Sequence, residues 1–134
     1  MSGLIIRLAP NERILLNGAV VENGDRRARL TIKTPNANVL RLRDAIHPEH
    51  ANTPVKRTIY LAQLIISGDG NPKDIKMPLM RAIEQIKQIF EDEESRRILG
   101  MASESVQSNQ YYLALKFLRQ LIAREEQLVS SASS

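Results

Sequence analysis

Five basic side chains between residues 27 and 43 stand at strand spacing, and they carry the clearest chemistry in this chain. In the run from Arg26 to Lys33, period-two alternation places Arg27, Arg29, Thr31 and Lys33 on one face of a strand. Ala28, Leu30 and Ile32 fall on the other face. The next candidate strand repeats the device, with Arg41 and Arg43 opposed to Leu40 and Leu42. A guanidinium offers a planar, multi-donor fork that matches phosphate oxygens and guanine edges. Several side by side repel one another, an arrangement that becomes useful when an anion sits on it. The bland alternative is a solvated basic surface.

Charge distribution points the same way. The formal net charge is +4, with ten Lys/Arg against five Asp/Glu up to Arg57 and nine against ten beyond it. All of the positive excess therefore lies in the first part, a pattern associated with polyanionic partners.

Other chemistries find less support. His47, Glu49 and His50 could offer metal ligands, but a fourth is missing nearby and Pro48 disfavours a helix that would align the pair. There is no cysteine, hence no disulfide, thiolate site or thiol nucleophile. No Gly-x-Ser-x-Gly elbow occurs, and Gly68-Asp69-Gly70-Asn71 lacks the Lys-Ser/Thr of a phosphate loop. The Glu91–Glu94 cluster reads as a solvated helix end. The expectation is a protein that is not an enzyme and has no cofactor. No apolar run approaches the roughly 18 residues that span a bilayer, and Arg7 interrupts the apolar start. A cytoplasmic protein without membrane contact is expected.

The elements that must position these residues divide in two. Up to about Arg43, short apolar runs alternate with turn residues at Pro10-Asn11, Asn17-Gly18, Asn23-Gly24 and Pro35-Asn36. Asn-Gly between apolar runs is a hairpin signal, because both residues tolerate positive φ. Two such signals predict an antiparallel β meander, a small sheet or barrel-like unit, with one of them able to serve as a bulge. Beyond Thr53 the period becomes helical. Thr53-Pro54 and Asn71-Pro72 read as helix starts and Gly68-Asp69-Gly70 as a stop. Pro78 either kinks the second helix or marks its true start. The stretch 110–128 reads as one amphipathic helix, the fourth. The predicted fold is α+β: a basic β unit over 1–46, about four bundled helices over 47–128, and a disordered Ser-rich tail over 129–134, together forming one compact protein.

Every aromatic residue (Tyr60, Phe90, Tyr111, Tyr112 and Phe117) lies in the helical part. A sheet without aromatics cannot stack bases as RNA-recognition or cold-shock sheets do, so contacts would be to phosphate and base edges and would weaken with salt. Tyr111 fits the Leu115/Leu118 stripe, leaving Tyr112 either in a wide core face or as an anchor for a partner helix or a second copy.

Three segments, LAPNERILLNGAVV (8–21), NTPVKRTIYLAQLII (52–66) and YYLALKFLRQLIAREE (111–126), resemble the FlbT family of flagellar-biosynthesis repressors in order and spacing. The resemblance covers the chain up to its Ser-rich tail. It implies a post-transcriptional regulator that binds the 5′ untranslated region of flagellin messenger RNA and alters its translation or lifetime, with a FlaF-type flagellin regulator as a protein partner. The matching pattern touches Asn11, Glu12, Arg13, Asn17, Gly18, Pro54, Arg57 and Tyr60. Arg13 and Arg57 thereby join Arg27, Arg29, Lys33, Arg41 and Arg43 as candidate RNA contacts, and Asn17-Gly18 and Pro54 are expected to set the fold. The competing reading is an adaptor that binds flagellin, its chaperone or an export component through the helical part, with Tyr112 at the contact.

Overall fold

The computed structural model describes the backbone of residues 3–35 and 37–133. Asn36, half of the predicted Pro35-Asn36 stop, and Ser134 lie outside the described residues. Five strands come first: β1 (Leu4–Leu8), β2 (Arg13–Leu16), β3 (Ala19–Glu22), β4 (Ala28–Ile32) and β5 (Val39–Arg41). Five helices follow: α1 (Pro54–Ser67), α2 (Pro72–Lys87), α3 (Glu93–Gln107), α4 (Tyr111–Arg119) and α5 (Ile122–Ser133). The class is α+β, as expected.

Strand pairing is antiparallel throughout, in two small sheets ordered β1-β4 and β3-β2-β5. The β2–β3 hairpin turns on Asn17 (φ 50°) and Gly18 (φ 84°), the two positive-φ positions that the primed turns require. Asn17 also exchanges two hydrogen bonds with the backbone of Asn38, tying the turn to the approach of β5. The second Asn-Gly makes no hairpin. The Asn23 side-chain amide donates to the carbonyls of Ala9 and Arg26, so the chain leaves β3 and crosses to pair with β1.

β5 divides two cores, because successive strand residues face opposite sides. Val39 packs with Ile6, Leu8 and Ile14 between the sheets. Leu40 enters the helical core with Ile59, Ile83, Leu99 and Leu115. Polar bonds reinforce the join. Gln63 of α1 donates to the Ile46 carbonyl and accepts from its amide, and Arg119 of α4 donates to the Asp44 carbonyl. The β and helical units thus share buried side chains.

Local signals set the helix ends. The Thr53 hydroxyl accepts from the Lys56 amide, Pro54 opens α1, and Gly68 closes it at φ 86°. Asn71 caps α2 and Asp92 caps α3. Pro78 lies inside α2 and does not start it. The predicted single fourth helix is broken: the amides of Gln120 and Leu121 bond three residues back, tightening the turn between α4 and α5 and burying Leu121. A fifth helix results. α5 continues to Ser133, through most of the predicted disordered tail, since no glycine or proline stops it.

Candidate nucleic-acid interface

β1 and β4 pair with Arg7 opposite Arg29, while Ile6 faces Leu30 and turns into the sheet core. The alternation read for Arg29, Thr31, Leu30 and Ile32 therefore holds: the first two are exposed, the second two half-buried. β5 departs from it. The strand ends at Arg41 and enters a tight 3-10 turn over Leu42–Asp44, so Leu42 is exposed instead of sharing Leu40's inward face. Arg41 is the inward member of the basic set.

The strands bring five arginines around one cleft of about 500 Å3: Arg7, Arg27, Arg29, Arg41 and Arg43. Leu8, Ala9 and Ala28 supply small apolar lining, and one acid, Glu12, faces the same space. Glu12 and Arg41 form its internal framework. Arg41 Nη1 lies 3.0 Å from Glu12 Oε2, and Arg41 Nη2 donates to the Arg7 carbonyl at 2.8 Å. Their side chains are 13% and 8% exposed for Arg41 and Glu12 respectively. Arg43 Nε stands 3.8 Å from the same carboxylate oxygen. The Ala9 amide donates to the other oxygen. Burial alone would raise the Glu12 pKa, but the Ala9 bond and the positive charges of Arg41 and Arg43 outweigh it and hold the carboxyl below its ordinary value. Glu12 is thus fixed as an anion, not poised to exchange a proton.

Arg7, Arg27 and Arg29 have no hydrogen-bond or ion-pair partner for their guanidinium groups among the described residues. All three are exposed. The cleft therefore separates its arginines by role: Arg41 is engaged in structure, Arg43 is loosely held, and three are free for an external anion. No aromatic side chain lines it.

The remaining candidates lie elsewhere. Arg13 on β2 pairs at 2.7 Å with Glu22 across the hairpin. Lys33 follows the end of β4, exposed and outside the cleft. Arg57 lines a separate groove on α1. Tyr112 is half-buried and packs against the helical core, with Lys116 Nζ 5.7 Å from its ring centroid. Burial and the charge of Asp44 raise its pKa, opposed by Arg41. Tyr112 also lines a pocket with Leu4 and Val39 of the β unit and Leu113 of α4. The sequence reading missed Arg7 and Glu12 as cleft residues. The signal for Arg7 was present, a single charge alternating between Ile6 and Leu8; nothing local announces that Glu12 meets Arg41.

His47 Nδ1 accepts from the Glu49 amide in a short turn. Among the described residues, no three His, Cys, Asp or Glu side chains are grouped to hold a metal ion. None of the described helices is long and apolar enough to cross a membrane.

Comparison with known proteins decides the family. The sequence pattern described as "Flagellar protein FlbT" matches residues 4–129. The chain belongs to the FlbT family. One FlbT relative, the probable flagellum biosynthesis repressor protein FlbT 1 of Bradyrhizobium diazoefficiens, is 35% identical over 93% of this chain and 84% of its own. The probable FlbT repressor of Rhodopseudomonas palustris is 35% identical over 95% and 98% of the two chains. The flagellum biosynthesis repressor protein FlbT of Caulobacter vibrioides is 28% identical over 98% and 92%. FlbT is not an enzyme family. No solved structure matches.

Proposed function

We propose that this FlbT protein regulates flagellum synthesis by binding the 5′ untranslated region of flagellin messenger RNA in its basic cleft. One observation carries the reading: five arginines surround one cleft, and three of them have no counter-ion among the described residues. Unpaired guanidinium groups on a rigid sheet repel each other until a polyanion neutralises them. The names of the relatives, flagellum biosynthesis repressors, supply the regulatory setting.

The absence of aromatics from the cleft lining dictates the mode. Phosphate oxygens and base edges are held by guanidinium forks, and bases are not stacked on the sheet. Affinity then rests on counter-ion release and falls steeply with salt. Sequence preference then comes from the shape of the leader and from base edges that come within reach of the cleft.

The test is a binding titration of purified protein against a flagellin leader RNA and a scrambled control at increasing salt. The cleft reading expects leader binding that weakens with salt and exceeds the control. A protein that shifts neither RNA at moderate salt, yet is captured by a flagellar protein, would establish the adaptor reading in its place.

A further inference from the structure

Away from the basic cleft, α2 and the turn that follows it carry two stripes side by side, one apolar and one apolar but for Gln85. Leu79, Ile83, Ile86 and Phe90 continue into the buried core. Pro78, Ala82, Gln85 and Ile89 repeat the same spacing one residue earlier and line a groove of about 760 Å3. Tyr60 and Leu61 of α1 form part of its other side. Ile89 is 40% exposed there, a large apolar side chain that this chain covers only in part. A stripe advancing by four, three and four residues is what one helix offers to another packed alongside.

Two arginines mark the same groove, Arg57 from α1 and Arg81 from α2. Both are exposed, and neither guanidinium has a hydrogen-bond or ion-pair partner among the described residues. We infer that the α1–α2 groove docks an amphipathic helix of a partner protein whose apolar stripe is flanked by carboxylates. The stripe spacing supplies the shape and the two unpaired arginines supply the charge. RNA is the poorer occupant: two cations, one tyrosine and an apolar floor give no continuous track for a phosphate backbone. This surface is separate from the basic cleft, so the protein can hold a messenger and a protein partner together.

The test uses the isotope-labelled full chain and a synthetic helical peptide bearing leucines on one face flanked by glutamates. A matched peptide carries lysines in place of the glutamates. The acidic peptide is expected to shift the amide resonances of Tyr60, Leu61, Arg81, Ala82 and Ile89. The lysine peptide should bind at least about fivefold more weakly, the effect of removing two screened ion pairs. Arg57→Glu with Arg81→Glu should reverse that preference. Ile89→Asp, at an exposed site, should abolish binding with thermal unfolding unchanged. Arg27→Ala with Arg29→Ala should leave peptide binding intact, which separates this groove from the RNA reading. Resonances that stay in place at the groove, equal affinity for both peptides, or leader RNA shifting the groove instead of the cleft would overturn the inference.

Discussion

Arg7 and Arg29 face each other directly across the β1–β4 ladder, and neither guanidinium has an acidic partner among the described residues. Like charges opposed in a sheet cost roughly 0.2–1 kcal/mol. A protein that keeps this pair trades stability for a site that attracts anions. Replacing Arg29 with Thr, a good strand residue, should therefore raise the unfolding free energy by a few tenths to about 1 kcal/mol at low salt. The same variant should bind leader RNA more weakly. Denaturant unfolding and RNA titration on one preparation check both signs.

Glu12 and Arg41 should behave as the cleft's framework. Arg41→Ala leaves Glu12 largely buried beside only the looser Arg43, and a cost of about 1–3 kcal/mol is expected. The pH dependence has a definite sign. The folded-state pKa of Glu12 lies below its ordinary 4.5. Its contribution to stability is therefore fully present above that value and is lost as pH falls through the lower, folded value. Melting curves of wild type and Glu12→Gln should be well separated near neutral pH and converge in acid. A constant separation down to the acid limit would show that Glu12 does not act through its charge.

α5 is held to the start of α1 by Glu125, which is 4% exposed and accepts from the Val55 amide at 2.9 Å. Its Oε1 has no partner among the described residues. Glu125→Ala removes a cap across 70 residues of sequence and should cost about 0.5–2 kcal/mol. Glu125→Gln keeps an acceptor for Val55 and should cost less. Hydrogen exchange at the first turn of α1 reads the difference directly.

Gly18 provides a backbone test. Its φ of 84° is one that L side chains rarely adopt, and an added Cβ meets nothing closer than the Ser67 carbonyl oxygen at 3.9 Å. The penalty of Gly18→Ala is thus conformational, about 1–2 kcal/mol. Thermal melts should show it without any change in RNA affinity, because Gly18 lies outside the cleft lining.

The helix ends were legible because their causes are local. Thr53, Pro54 and Gly68 act within one turn of the backbone they cap. The alternation through Arg29, Leu30, Thr31 and Ile32 was legible for the same reason. Pairing was not, since it depends on groups distant in sequence. The Asn23 amide, bridging Ala9 and Arg26, converts a hairpin signal into a crossover. Arg41 looked equivalent to Arg43 by spacing, yet Glu12, 29 residues away, draws it inward. Tyr112 could not be placed from its helix alone, because the β unit that half-covers it is encoded at the other end of the chain.

The central claim is that Arg7, Arg27 and Arg29 neutralise RNA phosphates in the cleft. The direct measurement compares the salt dependence of leader RNA affinity for wild type and for Arg7→Ala/Arg27→Ala/Arg29→Ala, with circular dichroism confirming the fold. The slope of log affinity against log salt should become shallower by about 2, or about 0.7 for each single-strand phosphate that is no longer neutralised. A triple variant with wild-type slope and wild-type affinity would contradict the account.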